Sequence, residues 1–94
     1  MIAVDTNVVV RFLADDDSNQ ADRAEAVLRT GGVFLPKTVL LETVWVLRGA
    51  YGLARPDIAR ALRRLLGLAG VTAEDGPAIE RALDWYEQGI DFAD

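Results

Sequence analysis

The chain has no cysteine and no histidine. Without cysteine there is no disulfide frame and no thiolate chemistry, and without histidine the commonest general base and zinc ligand is missing. Any acid-base or metal chemistry must therefore rest on carboxylates. Basic residues are in the minority as well: 10 Lys and Arg against 15 Asp and Glu give a formal charge of -5. That balance argues against broad electrostatic capture of nucleic acid, whose sequence-independent affinity comes mainly from Lys and Arg neutralising phosphates. An acidic enzyme acting on nucleic acid needs bound cations. Internal repeats, linkers and low-complexity tracts are also missing, so residues 1–94 are read as one domain. A chain of this size buries roughly two-thirds of the surface that its unfolded form exposes, enough for a single core.

The opening "MIAVDTNVVVRFLADDD" sets Asp5 inside its apolar stretch and has no basic leader. It reads as neither a signal peptide nor a membrane span, and the cytoplasm is the expected compartment. Ile2 to Val4 is a short β-branched run, followed by "TNVVVRFLAD", whose pattern suits a helix although valine favours strands. "DSNQADRAEAVLRTGG" has Asp17 three residues before Gln20, the spacing of a capping box, and ends on Gly31 and Gly32, which predicts a helix. Val33 to Leu35, between Gly32 and Pro36, is a short buried strand, and the apolar segment Lys37 to Ala50 is too long for a strand and suits a buried helix. In "RPDIARALRRLLG", Ile58, Ala61, Leu62 and Leu65 share one helical face while Arg60, Arg63 and Arg64 share the other, a solvated side able to grip a phosphate backbone or a partner. Val71 to Ala73 reads as a third strand. Gly76 and Pro77 then open a helix with Ile79, Ala82, Leu83 and Tyr86 inward, closed by Gly89. Short strands alternating with helices predict an α/β layered domain with a parallel sheet. The closing "FAD" is only the first turn of another helix, so the expected fold lacks its last βα unit.

Asp5 stands at the carboxyl end of the first strand, where parallel sheets place ligand crevices. A plain helix cap accounts for it equally well. Glu42 lies on an apolar arc of its helix, between Val39 and Val46 on one side and Leu41 and Trp45 on the other. A carboxylate there is costly unless it is paired, for instance with Arg48 or Arg11, exposed through a gap in the packing, or bound to a metal. Asp91 and Asp94, one turn apart, line one face of a starting helix, although a cap and a first-turn acid give the same spacing. Asp15 to Asp17 read as a solvated turn, and Glu74 and Asp75 as acids favoured before a helix start. Acids on three separate elements, with no His or Cys, suit a hard cation, Mg²⁺ or Mn²⁺, that keeps several waters and binds substrate phosphates. Phosphodiester hydrolysis is the reaction class this points to.

"AVDTNVVVRFLADDD", "LPKTVLLETVWVLRGAYGL" and "GIDFAD" resemble, in order and spacing, the PIN-domain ribonucleases, especially the VapC-type toxins of toxin-antitoxin pairs. The resemblance implies a three-layer α/β/α fold with a parallel sheet. It also implies Mg²⁺-dependent endonucleolytic cleavage of RNA by a type II toxin, restrained by a cognate antitoxin, in a homodimer or a domain-swapped oligomer. By that resemblance Asp5, Glu42 and Asp94 are metal ligands, Asp91 is a supporting acid, and Thr6 and Asn7 orient Asp5. Members of the family continue past the position matching Asp94. The rival reading is a catalytically impaired PIN domain that serves only as a dimerisation or antitoxin-binding module. A haloacid-dehalogenase-type phosphatase needs a second acid two residues after Asp5, where Asn7 stands, and a receiver domain needs acid pairs that are not visible.

Overall fold

A computed structural model describes residues 2–14, 25–26, 28 and 31–90. Three strands and four helices are assigned among them: β1 (Ile2–Ala3), α1 (Thr6–Ala14), β2 (Val33–Leu35), α2 (Lys37–Gly49), α3 (Arg55–Leu66), β3 (Val71–Ala73) and α4 (Gly76–Glu87). Glu25, Ala26 and Leu28 are also helical, and Leu28 is fully buried, in keeping with the helix predicted before Gly31. Its capping-box residues Asp17 and Gln20, like the turn acids Asp15 and Asp16, lie outside the described residues.

The strands form a parallel sheet in the order β1-β2-β3. Ile2 is in register with Val33, and Val33 with Val71. Because all three run the same way, their carboxyl ends share one edge, and Asp5, Lys37 and Glu74 follow those ends. At the opposite edge the backbones approach closely: a Cβ on Gly70 would stand 2.2 Å from the Cα of Gly31. Only glycine fits there, and Val33 N–H donates to the Gly70 carbonyl at 2.8 Å. The α/β architecture with a parallel sheet expected from the sequence is present.

Three consecutive valines, Val8 to Val10, lie in α1 despite their strand preference. Packing overrides it: Val9, Val10 and Phe12 are buried, and α1 packs against α2. On α2 the buried face is Leu40, Thr43, Val44 and Leu47, with the Thr43 hydroxyl satisfied by the Val39 carbonyl at 2.7 Å. Each fully buried leucine contributes roughly 1.5 to 3 kcal/mol relative to exposure. Helix α3 buries Ile58, Ala59, Leu62 and Leu65 against α4 and β3, so the stripe extends to Ala59 on one side while the predicted Ala61 is only half-buried. Helix α4 buries Ile79, Leu83 and Tyr86 as expected, while the predicted Ala82 is half-buried. It ends in a Schellman turn, where Gly89 adopts φ 100° and the Gly89 and Ile90 N–H groups donate to Tyr86 and Trp85 carbonyls at 3.1 and 3.0 Å.

Two expectations change. The arginines of α3 do not form a uniformly solvated face, because Arg63 reaches α4 and donates to Asp84 at 2.8 Å and to Glu87 at 2.7 Å. Those two hydrogen bonds raise its pKa above the ordinary arginine value. Glu74 and Asp75 make no side-chain cap on α4; Glu74 instead accepts the Lys37 N–H at 3.0 Å, capping α2 from a distant part of the chain, and Asp75 meets Lys37 Nζ at 3.4 Å. No described helix is long and apolar enough to cross a membrane.

Candidate active site

Asp5 stands two residues past the end of β1 and caps α1: its Oδ1 accepts the Val8 N–H at 3.1 Å, satisfying a donor that the first turn leaves unpaired. Asp5 is also exposed and lines a pocket. The cap and crevice readings are thus both true of one side chain, since the cap occupies one carboxylate oxygen.

Glu42 lines the same pocket from the middle of α2. It is exposed, so the cost of burying a charge does not arise. The helical arc that looked apolar is divided by its surroundings: Val39, Glu42 and Val46 face the pocket, with both valines half-buried as its walls, while Leu40, Val44 and Leu47 enter the core. Among the described residues no hydrogen bond or ion pair joins Glu42 to Arg11 or Arg48. Its Oε2 accepts the Thr6 hydroxyl at 2.8 Å, from a residue 36 positions away. Thr6, which by resemblance orients Asp5, therefore holds Glu42. Asn7, exposed on the next position of α1, completes the polar lining.

The pocket is open and measures about 440 Å³. Its described polar groups are two carboxylates, one hydroxyl and one amide. Among the described residues no three acids gather closely enough to hold a metal ion. Asp91 and Asp94 lie outside the described residues. The donor set nonetheless fits a hard cation, because Mg²⁺ is commonly held by one or two carboxylates plus water and substrate phosphate, in a site with room for its hydration shell. Asp5 and Glu42 are the described residues that would hold it.

Just before Asp91 the chain is tethered to α3. Arg55 Nη1 donates to the carbonyls of Tyr86 and Ile90, each at 3.2 Å, with its guanidinium 4.5 Å from the Tyr86 ring centroid. Neither this tether nor the Thr6 to Glu42 bond was anticipated from the sequence. The spacing of Val39, Glu42 and Val46 on one helical face was a visible signal for the pocket wall.

Compared with known families, residues 2–94 match the PIN domain. Comparisons with curated proteins and with solved structures find no match. PIN domains are generally nuclease domains and typically use divalent metals. With a match over almost its whole length, and a carboxylate pocket at the strand end, the chain belongs to the PIN domain family.

Proposed function

We propose that this chain is a metal-dependent endoribonuclease, the VapC-type toxin of a type II toxin-antitoxin pair, which hydrolyses RNA phosphodiester bonds. The observation that carries the reading is the meeting of Asp5 and Glu42 on one pocket, with Thr6 bonded to Glu42 across it. Asp5, Glu42 and Asp94 are the proposed ligands of Mg²⁺ or Mn²⁺, with Asp91 and Asn7 in support. When bound, such an ion polarises a phosphoryl oxygen and lowers the pKa of a water. Asp5, fixed by its cap bond, and Glu42, fixed by Thr6, hold their carboxylates ready and pay little entropy on binding. Val39 and Val46 shape one wall against which substrate rests.

A second reading, a non-catalytic module that binds an antitoxin or a second copy, is favoured by exposed aromatic surface. Trp45 is 60% and Trp85 49% exposed, and aromatic residues are enriched at protein interfaces. The two readings separate on RNA cleavage. Incubation of single-stranded RNA with the protein in Mg²⁺ or Mn²⁺ is expected to give endonucleolytic products, abolished by EDTA and by Glu42→Gln in a folded protein. Wild-type protein that binds the ion but leaves RNA intact would overturn the nuclease reading in favour of the module.

A further inference from the structure

A chain with a formal charge of -5 can hold RNA only through cations placed where the phosphates lie. Most described cations are engaged elsewhere. Arg60 pairs with Asp57 at 3.4 Å, Arg63 with Asp84 and Glu87, and Lys37 with Asp75. Arg64 lies over the Phe12 ring, 5.1 Å from its centroid, Arg55 holds the Tyr86 and Ile90 carbonyls, and Arg48 is likewise engaged. Arg81 is on α4, which adds nothing to the pocket lining.

Arg11 is different. It is exposed, and among the described residues no hydrogen bond or ion pair engages it. Within α1 the exposed positions are Asn7 and Arg11. They are four apart, so they are neighbours on one face, with Cβ atoms about 5–6 Å apart. Asn7 lines the carboxylate pocket. Helical side chains lean toward the helix N-terminus, which carries Arg11 back along the face toward Asn7 and the pocket mouth.

We propose that Arg11 is a substrate-binding residue that grips a backbone phosphate of single-stranded RNA flanking the one presented to Asp5 and Glu42. The guanidinium fork suits a phosphate in two-point contact, and a cation one turn from a carboxylate pocket offsets the repulsion an RNA strand meets there. Because the contact is to backbone, it fixes the strand's register without selecting bases. The proposal rests on the nuclease reading and assigns it a substrate contact outside the metal site.

The test is binding of a short single-stranded RNA in Ca²⁺, a hard oxygen-seeking cation used in place of Mg²⁺, across a salt series, with Mn²⁺ affinity measured in parallel. Arg11→Ala is expected to weaken RNA binding about tenfold. It should flatten the slope of log affinity against log salt by about 0.7, the share of one phosphate contact on a single strand. Mn²⁺ affinity should not fall, since removing a cation near two carboxylates can only strengthen their attraction for the ion, and Arg11→Lys should restore the slope but not the full affinity. RNA binding by Arg11→Ala with the wild-type affinity and slope would overturn the assignment and leave the nuclease reading standing. Wild-type protein that binds Mn²⁺ but no RNA would overturn both.

Discussion

The Thr6 hydroxyl donates to Oε2 of Glu42 at 2.8 Å, tying the first turn of α1 to the middle of α2. This bond fixes the rotamer of an exposed carboxylate that would otherwise sample several. Groups that orient a metal ligand typically contribute 10–100-fold to affinity. Thr6→Val is therefore expected to weaken Mn²⁺ binding by about tenfold, whereas Thr6→Ser, which keeps the hydroxyl, should bind nearly as wild type. Calorimetric titration of the three proteins decides it, and equal affinities for the valine and serine variants would show that the bond does not prepare the site.

Asp5 caps α1 and lines the pocket, and two substitutions separate those roles. Asparagine is as good a cap as aspartate but carries no charge, so Asp5→Asn should retain the stability of the wild type and lose metal affinity. Alanine removes the cap as well and is expected to cost about 1 kcal/mol more. Urea denaturation would detect that gap. Identical midpoints for Asp5→Asn and Asp5→Ala would mean the cap bond adds nothing to stability.

Gly70 offers a test of the sheet rather than the site. Its φ is not in the left-handed region, so alanine is acceptable to the local backbone, yet the added Cβ would stand 2.2 Å from the Gly31 Cα. Overpacking against backbone, which cannot swing aside, predicts a loss of about 2 kcal/mol for Gly70→Ala. A thermal midpoint unchanged from wild type would contradict the close approach of these two segments.

Arg63 joins α3 to α4 through Asp84 and Glu87, with Glu80 at 3.9 Å. The pairs are partly solvated, so their joint contribution is modest, and Arg63→Gln is expected to cost about 1 kcal/mol. High salt should shrink the difference, since screening weakens the wild-type network and relieves the repulsion among Glu80, Asp84 and Glu87 that the variant leaves uncompensated. A loss that is independent of salt would point to packing of the arginine stem instead.

Much of the fold was legible because its signals are local. Val33–Leu35 and Lys37–Gly49 were bounded by glycine, proline and the length of an apolar run, and α4 by Gly76, Pro77 and Gly89. What escaped depends on which surfaces meet. A helical projection gives Glu42 apolar neighbours but cannot say that Val39 and Val46 wall an open pocket rather than the core. Glu74 looked like a local helix-start acid, yet parallel pairing of β2 with β3 carries it to the N-terminus of α2. Arg63 looked solvated until α4 was placed opposite it. Asp5 and Glu42 were both picked out as site candidates and do share a pocket, whereas the bond from Thr6 to Glu42 requires knowing how α1 packs on α2.

The proposal that Asp5, Glu42 and Asp94 bind one divalent ion is tested most directly by Mn²⁺ titration of Glu42→Gln followed by electron paramagnetic resonance. Glutamine keeps the shape of the side chain and an oxygen to accept the Thr6 hydroxyl, so the substitution removes charge and little else. The account predicts that binding weakens at least about tenfold in a protein whose circular dichroism is unchanged. Wild-type affinity in folded Glu42→Gln would contradict it.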